Sequence, residues 1–257
     1  MINQVIDTAK EAGKKILEFY ETKVEVITKD DDSPLTKADI AAHHIIVDAL
    51  KELSDEIHII SEESGIPDYT ERKKWDRFWL VDPLDGTKEF IKKNGEFTVN
   101  IALIEYGKPV LGVVYMPASD VLYFAEKTIG SFKQLGSAKP TKLQTKPFTI
   151  PGKASIVVSR SHGDDTTKQK LEALGIEVVK EVPSGSSIKF CLVAEGKADL
   201  YPRLGPTMEW DTAAADAVYR FSVEEGEKFS PLTYNKENFK NPYFLLGSDS
   251  YVNIETI

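Results

Sequence analysis

The segment Trp79-Leu80-Val81-Asp82-Pro83-Leu84-Asp85-Gly86-Thr87 sets two carboxylates three residues apart at the end of an apolar run. Pro83 restricts the backbone between them, and Gly86 permits a tight turn. Thr87 then opens a helical stretch through Lys88-Glu89-Phe90-Ile91. Such a turn would offer hard oxygen ligands to a cation and, beside them, the free N–H groups of a helix start to a phosphate. The same residues also read as an acidic turn that caps a helix, and spacing alone leaves both accounts open. Three further places carry acids at element ends: Thr36-Lys37-Ala38-Asp39, Ser61-Glu62-Glu63-Ser64 and Glu209-Trp210-Asp211-Thr212-Ala213-Ala214. Each has an ordinary account of its own: a helix cap for Asp39, a solvated loop for the glutamates, an N-cap for Asp211.

The combination points to a metal. Carboxylates recur at several element ends, while the chain holds one cysteine and four histidines. An all-oxygen donor set suits Mg²⁺, or Mn²⁺ in its place, and not a structural zinc. His43, His44, His58 and His162 lie outside these segments and read as surface or core-edge residues. Cys191 falls within an apolar helical run and reads as core packing.

These groups need elements to hold them. Of the 257 residues, 41% are hydrophobic and 28% charged, the composition of a globular chain with a sizeable core. Lys and Arg number 32 against 41 Asp and Glu, for a net charge of −9, which argues against sequence-independent nucleic-acid binding. No apolar run reaches the ~18 residues of a membrane span, and the polar N-terminus does not read as a signal peptide. The expectation is a soluble protein of the cytoplasm, with attachment to a membrane surface left open. A helix is predicted over the first twenty residues, a short strand at 24–27, a helix from Thr36, and strands at 57–60 and 77–81. A hairpin follows, 97–104 with 110–115 around Gly107-Lys108-Pro109. Residues 126–150 show little apolar periodicity and are read as a boundary, dividing the chain into lobes 1–140 and 141–257. The second half alternates: strands at 155–159, 176–179 and 198–201, helices at 166–174, 187–195 and 212–219. That alternation predicts a second α/β layer.

Glu62-Glu63, Asp82-Pro83-Leu84-Asp85-Gly86-Thr87 and Trp210-Asp211-Thr212-Ala213-Ala214, in this order and spacing, resemble the inositol monophosphatase superfamily of lithium-sensitive, magnesium-dependent phosphatases. Within it, the segments Trp79 to Tyr115, Gly185 to Gly196 and Leu200 to Arg203 are most similar to the bisphosphate nucleotidases. The resemblance implies an α/β fold, a layered αβαβα sandwich with the site between its lobes. It implies two or three Mg²⁺ ions held by Glu62, Asp82, Asp85, Asp211 and the Leu84 carbonyl, with Glu63 outside the ligand set. It gives Asp39 and Thr87 the task of orienting or deprotonating the attacking water. It gives the backbone N–H groups of Gly86 and Thr87 the reacting phosphate, and it implies inhibition by Li⁺.

Selectivity falls to Pro183-Ser184-Gly185-Ser186-Ser187-Ile188-Lys189, a Gly/Ser turn entering a helix. Taken alone this reads as a capped helix with an exposed lysine. The resemblance instead makes Ser186, Ser187 and Lys189 a site for a second phosphate, with Arg203 the next candidate. The expected partner is a small nucleotide bisphosphate. The expected reaction is removal of the 3′-phosphate of adenosine 3′,5′-bisphosphate, with its 5′-phosphosulfate analogue as a second substrate, in sulfur assimilation. An inositol or sugar phosphatase is the alternative enzyme. A non-catalytic binder of metal and phosphate is the alternative of another class, and retention of Asp39 with Thr87 argues against it. Oligomeric state is left open.

Overall fold

A computed structural model describes residues 1–22, 26–28, 34–160, 165–224, 230, 232–250 and 252–257. Two helices come first, α1 (Ile2–Tyr20) and α2 (Lys37–Leu53). Short strands β1 (Val26–Thr28) and β2 (Pro34–Thr36) pair between them. The rest of the predicted 24–27 strand, and His162, lie outside the described residues. The stripe Val5, Ile6, Ala9, Ala12 and Ile16 on α1 is buried, as the helical spacing requires.

The central sheet has seven strands in sequence order: β3 (His58–Ser61), β4 (Arg77–Asp85), β5 (Thr98–Glu105), β6 (Lys108–Met116), β7 (Val121–Glu126), β8 (Gly130–Leu135) and β9 (Thr141–Leu143). Only β3 and β4 run parallel. Between β3 and β4 stands α3 (Tyr69–Arg72), and between β4 and β5 stands α4 (Thr87–Ile91). Alternation divides the sheet's two faces. Trp79, Val81, Val99, Ile101 and Leu103 join the core under α1 and α2. Phe78, Leu80, Ala102 and Ile104 join a second core against α6 (Ile188–Ala194) and α7 (Ala213–Arg220).

Beyond those helices lie the parallel strands β10 (Gly152–Ser159) and β11 (Ile176–Ser184), with α5 (Asp165–Ala173) as their crossover. Short strands β12 (Tyr201–Arg203) and β13 (Phe244–Leu246) pair antiparallel beside them. α6 packs on β10, and α5 on β11. The layers therefore run helix, sheet, helix, sheet, helix, as expected.

Some boundaries differ from the sequence reading. Residues 130–143 form β8 and β9, so the central sheet runs through Leu143, past the expected division at 140. These edge strands are polar because one face is half exposed, which removes the apolar signal. β11 continues to Ser184, and the strand predicted at 198–201 starts at Tyr201. Leu200 makes a single bridge to Ile156. The helix predicted from Thr212 starts at Ala213.

Candidate active site

The two carboxylates on β4 owe their common direction to an irregularity. In a regular strand, residues three apart point to opposite faces. Here Asp82 pairs with Asn100 and Asp85 with Thr98. Three steps on β4 thus face two on β5, which defines a one-residue bulge and returns both aspartates to one face. Pro83, lacking an N–H, is tolerated where the ladder is already broken. The strand therefore does not stop at Val81 but carries both acids into the site. Gly86 follows at φ 91°, and a Cβ there would stand 3.0 Å from the Glu96 carbonyl, so only glycine turns the chain into α4.

Other elements deliver the remaining acids. Asp39 is the third residue of α2 and completes a capping box: its Oδ2 accepts from Thr36 N–H at 2.8 Å and from Thr36 Oγ1 at 2.5 Å. The ordinary cap account is thus correct as structure, and it fixes the carboxylate while Oδ1 accepts from Thr87 Oγ1 at 3.3 Å. Thr87 Oγ1 also lies 3.3 Å from the Leu84 carbonyl. Glu62 opens the 3₁₀ turn Glu62–Ser64 at the end of β3 and is half-buried with Glu63. Asp211 is not the N-cap of α7. That place is taken by Thr212, without a side-chain cap, and Asp211 Oδ2 accepts from Met208 N–H at 2.8 Å.

The acids feel one another. Burial holds the Asp82 carboxyl well above the usual range, and the charges of Glu62, Asp85, Asp211 and Asp39 push it further. Asp211 is pushed up to about 8, first by desolvation and then by Asp85. Asp39 is raised by burial, against the hydrogen bonds from Thr36 that lower it. A cation is what such a group of acids lacks. Asp82 takes its protein hydrogen bond on Oδ1, from Leu84 N–H at 3.1 Å. Asp85 takes its bonds on Oδ2 and Asp211 on Oδ2, so among the described residues the second oxygen of each is left for another ligand. Hard oxygens with that electrostatic need fit a divalent ion such as Mg²⁺. Among the described residues, no three acidic, histidine or cysteine side chains close into a ready cage, so an ion would have to draw these oxygens in.

A cavity of about 200 Å³ adjoins the acids. Asp85, Gly86, Ser186, Ser187, Lys189, Arg203 and Asp211 are on its wall, whereas Asp39, Glu62, Asp82, Leu84 and Thr87 are not. Among the described residues, the N–H groups of Gly86 and Thr87 have no protein acceptor, which leaves them to an anion. Ser186 and Ser187 are already engaged: Ser186 Oγ and Ser187 N–H both donate to Asp85 Oδ2 at 2.6 Å, and Ser187 Oγ donates to Asn100 at 2.9 Å. The expected phosphate-binding serines thus grip a carboxylate in this structure. Lys189 is buried, not exposed, donates to the Ser186 carbonyl at 2.5 Å, and is pushed down to about 8 by desolvation. With Lys88, Arg160 and Arg203 it places four cations on the cavity wall. Sequence reasoning missed Thr98 and Asn100, which hold the serine turn and Asp85. Their two-residue spacing opposite Asp82 and Asp85 was the available signal.

The sequence profile of the inositol monophosphatase family matches residues 1–220. The chain belongs to this family. It is 47% identical to the 3′(2′),5′-bisphosphate nucleotidase CysQ of Escherichia coli K12 over 249 residues, covering 95% of this chain and 98% of that one. It is 36% identical to the CysQ nucleotidase of Haemophilus influenzae, over 97% of this chain and 93% of that one. The crystal structure of CysQ from Bacteroides thetaiotaomicron, a bacterial member of the inositol monophosphatase family, superposes with a TM-score of 0.79 at 42% identity, covering 97% of each chain. The layered fold is thus that of an inositol monophosphatase family member. No described helix is long and apolar enough to cross a membrane.

Proposed function

We propose that the chain is a magnesium-dependent 3′(2′),5′-bisphosphate nucleotidase. It would hydrolyse the 3′-phosphate of adenosine 3′,5′-bisphosphate, with one water, to AMP and phosphate. The 5′-phosphosulfate analogue would yield adenosine 5′-phosphosulfate. The observation that carries this reading is the near-full-length identity of 47% to a nucleotidase, well above the level at which only the fold is shared.

Glu62, Asp82, Asp85, Asp211 and the Leu84 carbonyl would hold Mg²⁺. When bound, the ion would supply positive charge to the phosphate oxygens and lower the pKa of a bound water. The chain's own residues do the rest. Asp39, fixed by Thr36, receives the Thr87 hydroxyl proton in a hydrogen bond, so the Thr87 oxygen is oriented to accept from water. Through that link Asp39 takes up the proton as the water attacks, and desolvation of Asp39 favours proton uptake. The Gly86 and Thr87 N–H groups would receive the reacting phosphate. Lys189 and Arg203 on the cavity wall would meet the second phosphate. A net charge of −9 gives no general attraction for such a ligand, so these local groups must supply it.

Phosphate release tests the reading. The substrates are adenosine 3′,5′-bisphosphate, its 5′-phosphosulfate analogue, inositol 1-phosphate and fructose 1,6-bisphosphate, each with Mg²⁺. The adenosine bisphosphate is expected to have the highest kcat/KM, and millimolar Li⁺ to inhibit. A higher kcat/KM for inositol 1-phosphate or fructose 1,6-bisphosphate would reassign the enzyme. Tight binding of the adenosine bisphosphate without turnover at saturating Mg²⁺ would make it a binding protein.

A further inference from the structure

One ion pair crosses the rim of the cavity and has no part in the mechanism above. Arg160, just past the end of β10, donates from Nε to Glu96 Oε2 at 2.6 Å and from Nη2 to Glu96 Oε1 at 2.5 Å. Glu96 stands in the loop between α4 and β5, on the side of the central sheet. Its Oε2 accepts a third bond, from Gly185 N–H at 2.9 Å. One carboxylate therefore joins three places: the α4–β5 loop, the end of β10 and the turn between β11 and α6. An isolated exposed pair contributes little. This one is a two-bond fork, the Glu96 side chain is only 20% exposed, and the third partner is a main-chain group.

The turn it fastens is the one that holds Asp85. Gly185 is followed by Ser186 and Ser187, whose hydroxyl and N–H donate to Asp85 Oδ2. Packing there is tight: a Cβ on Gly185 would stand 3.0 Å from Glu89 Cγ and 3.2 Å from both Glu96 Cβ and the Glu96 carbonyl. The turn thus rests directly on Glu96. The geometry points to Glu96 and Arg160 as positioning residues: a latch across the cavity rim that sets the Gly185–Ser187 turn and, through it, the orientation in which Asp85 presents its other oxygen to a divalent cation. The Arg160 pair also holds the Glu96 carboxyl below its usual range, so the latch is charged throughout the neutral range. This rests on the assignment of Asp85 as a metal ligand.

The test measures Mn²⁺ binding by calorimetry on the metal-free full chain without substrate, together with amide hydrogen exchange. Arg160→Ala is expected to weaken Mn²⁺ binding about threefold. Glu96→Ala also releases the Gly185 N–H and is expected to weaken it about tenfold. In both variants the amides of Gly185 and Ser187 should exchange faster, while those of β5 and β6 keep their protection. A merely structural pair would lower protection throughout and leave Mn²⁺ affinity unchanged, and that result would overturn the proposal. So would weaker Mn²⁺ binding with wild-type exchange at Gly185 and Ser187. Should Glu96→Ala fail to fold, Arg160→Lys decides, because it keeps the charge but loses the fork: Mn²⁺ affinity and exchange equal to wild type would refute the latch. Failure of the nucleotidase reading shows separately, as absent phosphate release by the wild-type chain. A wild-type chain that binds no Mn²⁺ would refute the ligand assignment and the latch with it.

Discussion

Replacing Asp211 by asparagine should make the metal-free protein more stable as the pH rises relative to wild type, while destroying its site. In the folded, metal-free chain the Asp211 carboxyl is pushed up to about 8, against 3.8 for the ordinary side chain. Between those values the folded state binds a proton that the unfolded state has lost. Stability therefore falls with rising pH, by about 1.4 kcal/mol per pH unit for one proton. From pH 5.5 to 7.5 this amounts to about 3 kcal/mol for that one proton, and Asp82, which the Asp211 charge raises further, adds with the same sign. For a chain of this length that is roughly 6–12 °C in Tm. The window excludes the carboxylates held low by partners, Glu96 and Glu195, whose contribution is complete above the ordinary range. It also lies below the interval from about 8 to 10.5 in which Lys189 acts, with the opposite sign. His43 acts with the opposite sign: burial lowers its pKa from the ordinary 6.5, so its contribution rises with pH up to that value and opposes Asp211. The difference between wild type and Asp211→Asn cancels that contribution.

The assay is thermal unfolding in chelator at several pH values, repeated with saturating Mg²⁺. The Tm of wild type minus that of Asp211→Asn should fall as pH rises in chelator. With Mg²⁺ the dependence should reverse, because the ion binds the deprotonated acids and stabilises the fold by mass action. Parallel pH profiles in chelator would refute the shared burial of these carboxylates, and with it the electrostatic case for a cation.

Three further outcomes follow from the site. Asp82→Asn or Asp85→Asn, measured by phosphate release at low millimolar Mg²⁺, should lose roughly 10²-fold or more in turnover while the fold survives; near-wild-type rates in both would remove these residues from the site. Thr87→Ala should lower kcat and leave KM nearly unchanged, since it breaks the 3.3 Å link to Asp39 without touching the cavity wall; a raised KM with unchanged kcat would contradict that role. Lys189→Ala should cost the adenosine bisphosphate about ten- to a hundredfold in kcat/KM and inositol 1-phosphate little; equal losses would make Lys189 structural.

The individual helices and strands were legible because their periods are strong where an element faces a core on one side, whereas the layered arrangement was implied by the family resemblance and not by residue order. The stripe on α1 is written in residue order, whereas the run Phe78-Trp79-Leu80-Val81 is apolar throughout, so it signals a strand but not which residues face which core. The edge strands β8 and β9 were not, because half-exposed edges carry polar residues such as Lys133, Gln134, Thr141 and Lys142 and lose their apolar alternation. The candidate acids were legible as residues but not as geometry. The capping box at Thr36 and Asp39 could be seen in their spacing, since both partners lie within one helical turn. Asp211 looked like an N-cap, and only the tertiary fold shows its carboxylate turned back to Met208. The Ser186–Ser187 turn read alone as a helix cap and, by the family resemblance, as an anion site; sequence order does not reveal that Asp85, about a hundred positions earlier, occupies its donors.

That last contact bears on how the site divides its labour. Ser186 Oγ, Ser187 N–H and, more distantly, Asn100 at 3.4 Å all address one oxygen of Asp85. Leu84 N–H and Met208 N–H each hold one oxygen of Asp82 and Asp211. Protein donors thus fix each of these three carboxylates by one oxygen, and among the described residues its other oxygen accepts none. A hydrogen bond to a carboxylate favours the charged form, whereas burial beside other acids opposes it. The donors are too few to balance that burial at Asp82 and Asp211, which stay raised. The bulge at Pro83 and Leu84 is what forces the arrangement. It brings Asp82 and Asp85 to one face and places the Leu84 carbonyl 3.3 Å from the Thr87 hydroxyl. Deleting one residue from the bulge would restore a regular strand with the two aspartates two positions apart and still on one face, but it would remove the excursion that sets the Leu84 carbonyl beside the Thr87 hydroxyl.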